Sequence, residues 1–105
     1  MKNFEKLLLL RNITTNKIRY KDKSFRFKKP LHIRVYYKDE IFIVYNEELD
    51  IFEMGKSMED AWISFCEDFM YLWKEIVEED DEKLDERTLE LKKLFQDIVE
   101  EENSF

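Results

Sequence analysis

Hydrophobic residues recur at every second position from Leu31 to Tyr37 and at every third or fourth position from Met58 to Val77. A chain with that order, alternation early and a helical stripe late, is committed to a sheet laid down first and covered by helices afterwards. In the first segment Leu31, Ile33, Val35 and Tyr37 face one way, and His32, Arg34, Tyr36 and Lys38 the other. Lys38, Asp39 and Glu40 interrupt before the β-branched and aromatic run Ile41 to Tyr45, so the two segments read as a hairpin. Asn46, Glu47 and Glu48 form a second polar break, and Leu49 to Met54 a further strand ending at Gly55. As the chain's single glycine, Gly55 is expected to supply a backbone angle that other residues resist. Upstream, Ser24 to Lys28 alternates Phe25 and Phe27 with Arg26 and Lys28, and this strand is expected to end at Pro30. Phe4 to Leu10 is apolar and short, and is read as a terminal strand rather than two helical turns.

Ser57 and Asp60 have the spacing of a capping box, with Glu59 and Asp60 adding negative charge where the helix dipole is positive. The stripe that follows comprises Met58, Ala61, Trp62, Phe65, Cys66, Phe69, Leu72, Trp73, Ile76 and Val77, which predicts a helix over about 57–79. Asp85 is placed to cap a second helix over about 86–101, with Leu84 and Leu89 spaced for a hydrophobic staple and Leu91, Leu94, Phe95, Ile98 and Val99 as its buried side. The expectation is a single α+β domain over 1–105, with strands within 4–54 forming a small antiparallel sheet of three to five strands packed on two C-terminal helices. Nine Phe, five Tyr and two Trp provide the apolar surface for one core in a chain of 105 residues.

The composition removes many chemistries. One cysteine allows no disulfide within the chain, and one histidine allows no multi-histidine zinc site. A single glycine cannot build a phosphate cradle or a dinucleotide turn. His32 has no nucleophile that spacing places beside it, and Cys66 lies on the apolar stripe, where a thiol acts as a small hydrophobe. The acids between Glu78 and Glu86 lack the alternating ligand spacing and central glycine of a calcium loop. No catalytic residue, metal site or cofactor is therefore expected. No apolar run approaches the ~18 residues of a membrane span, and Met1 to Arg11 lacks the apolar core and cleavage site of a secretory signal, so a cytoplasmic, reducing location is the default.

Charge is distributed unevenly. Residues 1–38 carry twelve Lys or Arg against Glu5 and Asp22, a balance of +10, while the remainder carries six basic residues against twenty-three acids, −17, making the net −7. Two uses of this split compete. The two halves can neutralise each other within the fold, or the acids can steer and dock a basic protein. On the second reading Glu78, Glu79, Asp80, Asp81 and Glu82 are the leading partner-binding candidates, with Glu47 and Glu48 behind them. The alternative is nucleic-acid binding by the basic segment 17–29 through Lys21, Lys23, Lys28 and Lys29, with Tyr20, Phe25 and Phe27 interleaved as stacking surfaces. The overall acidity, with a pI near 4.8, weighs against that use. A homodimer, through an exposed strand edge or through complementary charged surfaces, is compatible with each reading.

The stretch from Leu31 to Trp73 resembles the HicB-like antitoxin fold in its hairpin, its third strand after Asn46-Glu47-Glu48-Leu49, its glycine, and its helix opening at Ser57-Met58-Glu59-Asp60-Ala61. That resemblance implies a small sheet backed by a helix, and a protein that binds and neutralises a small ribonuclease toxin. Many members add a C-terminal DNA-binding module, whereas here the acidic stretch from Asp85 to Phe105 carries no basic recognition helix, so the resemblance does not extend to operator binding. The strand-to-helix arrangement is also similar to that of small archaeal proteins that imply no activity.

Overall fold

The computed structural model describes residues 8–104, and the expected strand residues Phe4 to Leu7 lie outside them. The fold is α+β: a five-stranded antiparallel sheet and two C-terminal helices. Strand β1 (Leu8–Tyr20) pairs along its whole length with β2 (Lys23–Lys38), β3 (Ile41–Asn46) pairs with the later half of β2, and β4 (Ile51–Gly55) pairs with β3. Helix α1 (Met58–Leu72) continues into a π-helical turn at Trp73–Val77, and a short 3-10 turn at Asp81–Lys83 leads to α2 (Glu86–Ile98). The chain then enters a fifth strand, β5 (Val99–Ser104), which pairs with the early half of β2.

This last strand corrects two expectations. The second helix ends at Ile98 rather than near 101, and the strands are not confined to 4–54. Val99 lies on the apolar stripe of α2, but its backbone is extended, and Val99 through Ser104 satisfies β2 from Phe27 back to Lys23. An open ladder that would otherwise expose N–H and C=O groups outweighs one more turn of helix.

Nor does β2 stop at Pro30. It runs for sixteen residues, and its pairing to β1 jumps from Thr15 opposite Leu31 to Lys17 opposite Arg26, so Phe27 to Pro30 bulge out of the ladder. On the other edge β5 reaches only Phe27 and β3 begins only at Arg34. Pro30, which has no N–H, sits in the stretch that no ladder claims.

The side chains of Leu31, Ile33 and Val35 from β2 and Val44 from β3 meet Ala61, Phe65, Cys66 and Phe69 of α1, all buried. Edge-to-face rings extend this core beneath the helix turn, with Phe25 centred 5.1 Å from Phe69 and 4.8 Å from Trp73, and Phe27 5.8 Å from Phe69. Phe95 of α2 joins them at 5.3 Å from Phe69. The opposite face of the sheet is less polar than alternation implies: Tyr36, Ile43 and Tyr45 are buried in a second cluster with Ile41 and Phe52.

Both helix caps form as the spacing predicts, the Ser57 hydroxyl accepting from the Asp60 amide at 3.0 Å and the Asp85 carboxylate from the Thr88 amide at 2.8 Å. The latter bond holds the Asp85 carboxyl below its ordinary pKa. Gly55, by contrast, does not have a positive φ. Its requirement is space, because a Cβ there would stand 2.4 Å from the backbone nitrogen of Ala61 and 2.8 Å from the carbonyl carbon of Asp60. The left-handed positions fall instead on Lys21, Asp39, Glu40 and Asp50. Asp39 and Glu40 form the two-residue turn between β2 and β3 with φ of 51° and 64°, the backbone hand that a tight hairpin demands.

Asn46 is the buried polar residue that closes the β3–β4 connection. Its Nδ2 donates to the His32 carbonyl at 2.9 Å, and its Oδ1 accepts from the Leu49 amide at 2.8 Å. The side chain thus completes both the turn and a stretch of β2 that β3 does not reach. Two stability measurements follow from these local constraints. Asn46→Ala leaves the buried Leu49 amide and the part-buried His32 carbonyl without their partner and is expected to lower stability by about 2–3 kcal/mol in urea denaturation. Gly55→Ala forces α1 away from β4 and is expected to cost about 1–3 kcal/mol on the same scale, although alanine at an unconstrained strand end would be neutral or stabilising.

Candidate functional site

The acidic candidates Glu78 to Glu82 form the connection between the π-helical turn and α2. The Glu78 amide donates to the Trp73 carbonyl, closing the wider π turn, and the Lys83 amide donates to the Asp80 carbonyl in the 3-10 turn, so the five acids are carried on two tight turns. Three have a cation nearby: Glu78 lies 3.6 Å from Lys23, Glu79 3.7 Å from Lys83, and Asp81 2.7 Å from Lys92. Lys92 also donates to the Glu79 carbonyl at 2.6 Å and is mostly buried, so it fastens α2 beneath the turn. The carboxylates of Asp80 and Glu82 are exposed and have no cationic partner among the described residues. Within the five-residue run, the acids without a cationic partner are therefore those two.

The second-choice acids lie at the β3–β4 connection, beside the middle of β2. Glu47 is 3.6 Å from Arg34, and Glu48 lines a cleft of about 290 Å³ with Lys28, Lys29, His32 and Asp97. Neither shares a cleft with Glu78, whose neighbours include Tyr20, Lys21 and Lys23 where β1 turns into β2.

The four lysines of the nucleic-acid alternative are likewise divided. Lys21 and Lys23 line a cleft of about 540 Å³ with Tyr20, Trp73, Lys74 and Glu78, whereas Lys28 and Lys29 occupy the β2 bulge. Lys23 is already engaged, donating to Glu102 at 3.2 Å; that hydrogen bond, with the Glu102 and Glu78 charges, holds its pKa above the ordinary lysine value against the opposing effect of burial. Phe25 and Phe27 are 0% and 4% exposed, so neither ring offers a face to a base. Of the interleaved aromatics only Tyr20 remains part-exposed, with the Lys21 ammonium 5.2 Å from its ring centre.

Sequence reasoning missed how β5 brings the opposed charges together. Glu100 lies 3.1 Å from Arg26 Nε, Glu101 is bonded by Arg26 Nη2, and Glu102 meets Lys23. These pairs are about one-third to one-half exposed, so each contributes little to stability, but together they line an acidic strand up against a basic one. The signal was present as a terminal acidic run in a chain whose early strand is basic; helical periodicity through Val99 hid it.

Two further groups have their properties set by the core. Cys66 is 1% exposed, and burial, with a contribution from Glu67, pushes its thiol up to about 12, so it remains a protonated apolar filler as its place on the stripe implies. Glu53 on β4 faces α1. Burial, then the charges of Asp68 and Glu67, raises its carboxyl pKa. Among the described residues no three His, Cys, Asp or Glu side chains converge to hold a metal, and no helix is long and apolar enough to cross a membrane. No protein-family model, curated protein or solved structure matches the chain.

The Glu53 environment has a pH signature. Because its folded-state pKa is raised above the ordinary 4.5, its contribution to stability is fully present below that value and is lost as pH rises through the folded pKa. Glu53→Gln is therefore expected to be more stable than the natural chain at pH 7, with the gain vanishing below about pH 4.5, in chemical denaturation followed across that range.

Proposed function

We propose that this protein is a non-catalytic protein-binding module that docks a basic partner on the turn joining its two helices. The observation that carries this reading is the pair of exposed carboxylates, Asp80 and Glu82, which have no cationic partner among the described residues while Glu78, Glu79 and Asp81 are each approached by a lysine. Internal pairing holds the turn in one shape, and the two free charges supply the field that draws a cation in from solution. The specific form we favour is an antitoxin of the HicB-like kind acting on a small basic ribonuclease. It is supported by the order of hairpin, strand, close-packed glycine and serine-capped helix from Leu31 to Trp73. A cytoplasmic setting accords with the single free thiol.

Reversing only the unpaired charges, with Asp80→Lys and Glu82→Lys together, leaves the three lysine contacts in place and both substituted side chains in solvent. Association with the basic protein that co-purifies with the natural chain is expected to slow by about 10-fold at low ionic strength, with the difference shrinking as salt is added. Equal association rates for the two chains at low salt would reject this turn as the docking site. Co-purification with an acidic protein or with nucleic acid instead would reject the basic-partner reading.

A further inference from the structure

The described residues leave five large hydrophobic side chains exposed, and three are consecutive on the outermost strand: Leu8, Leu9 and Leu10, at 60%, 46% and 46%. Among the described residues strand β1 is paired only to β2, which leaves its other edge without a neighbouring strand there. The later part of that edge is protected. At Thr15 the hydroxyl donates to the Lys17 carbonyl at 2.7 Å and accepts from the Lys17 amide at 3.3 Å, a β-bulge interrupts the ladder there, and Lys17 and Arg19 follow. Over Leu8 to Thr14 there is one charge, Arg11, and no such closure among the described residues.

The cross-strand register shows which way the side chains of this open stretch face. Leu8, Arg11 and Ile13 stand opposite Tyr37, Val35 and Ile33 on the helix side, and Leu10 lines a cleft there with Tyr37 and Phe42. Leu9 and Asn12 stand opposite Tyr36 and Arg34 on the other side. A bulge between Leu9 and Arg11 produces this uneven sequence of faces.

We propose that the protein forms a two-fold symmetric homodimer by antiparallel pairing of two β1 strands over Leu8 to Ile13. In one register Leu8 stands opposite Ile13 of the second copy, Leu9 opposite Asn12, and Leu10 opposite Arg11, and in all three pairs both residues belong to the same face of the sheet. Shifting by one residue in one direction puts Leu9 against Arg11, which face opposite sides. Shifting in the other sets Arg11 against its own copy and Leu10 against Asn12, adding like charges to mismatched faces. The favoured register covers the three exposed leucines, joins two five-stranded sheets into one, and sets no two like charges directly opposite. An acidic strand from a different protein would find only Arg11 to answer it here, which is why the charge pattern favours a second copy.

Sedimentation equilibrium on the full chain tests the assembly. The natural protein is expected to have the mass of two chains, and Leu8→Lys with Leu10→Lys the mass of one, at unchanged secondary structure by circular dichroism. Disulfide trapping tests the register without relying on that variant: Leu9→Cys chains mixed with Asn12→Cys chains are expected to cross-link across the interface under mild oxidation, and Leu9→Cys chains alone are not. The buried Cys66 stays silent in this assay. A natural chain that is monomeric at its highest attainable concentration, or a dimer that survives the lysine substitutions, would overturn the interface. A dimer in which the mixed cysteines fail to link would overturn the register.

Discussion

The sheet depends on β2 being hydrogen-bonded along both edges by strands from very different parts of the chain. β1 serves one edge throughout; β3 and β5 divide the other, separated by the unclaimed stretch around Pro30. A sixteen-residue strand with one open side would expose a long row of backbone groups, and β3, with its six residues, is too short to cover it. The chain must return after its helices to finish the sheet. That return brings α2 over Phe69 and Trp73 and sets the Glu78 to Glu82 connection at the rim, next to Lys23. The position of the acidic turn is thus a consequence of sheet closure.

Electrostatics follow the same path. The sequence divides into a basic and an acidic part, and the fold folds one against the other most closely where β5 meets β2. Arg26 bridges to Glu100 and Glu101, and Lys23 reaches both Glu102 and Glu78, so the densest basic segment is partly spent inside the molecule. Of the two uses open to the charge split, mutual neutralisation is realised along β5, while Asp80 and Glu82 have no cationic partner among the described residues. Exposed pairs of this kind are weak one at a time, so their main effect is to select which strand lies where.

Legibility in the sequence tracks how regular each local signal is. The stripe from Met58 to Val77 and the alternation from Leu31 to Tyr37 each report one buried face, and both elements appear where the periodicity places them, down to the Ser57 and Asp85 caps. β1 was legible only at its start. Its inward residues Ile13 and Thr15 are followed, after the bulge, by Ile18, and the skipped position breaks the period of two. Gly55 is visible in the sequence as the single glycine, but the backbone angle expected of it is not what it supplies: the constraint is the closeness of the Ala61 backbone, a contact that no local sequence signal reports. Asn46 read as a polar interruption because its two partners, His32 and Leu49, become neighbours only after β2 and β3 pair. The acidic candidates were found by composition, which could not separate the three acids held by lysines from the two left free.

The two ends of β1 are managed differently, and the difference is physical. Near Lys17 the chain meets its own backbone needs with the Thr15 hydroxyl and surrounds the edge with positive charge, both of which discourage another strand from adding. Over Leu8 to Ile13 the described residues have no such hydroxyl closure and one positive charge, Arg11. Protective features at one end of a strand show that an open edge carries a cost in this protein, which makes three adjacent exposed leucines at the other end hard to account for as neutral surface. Polar recognition at the helix connection and apolar recognition at the sheet edge would then occupy separate regions of a small fold, joined by β2: its early half lies beside the acidic turn through Lys23, and its later half carries the open stretch of β1. A partner could occupy the first without displacing a second copy from the other.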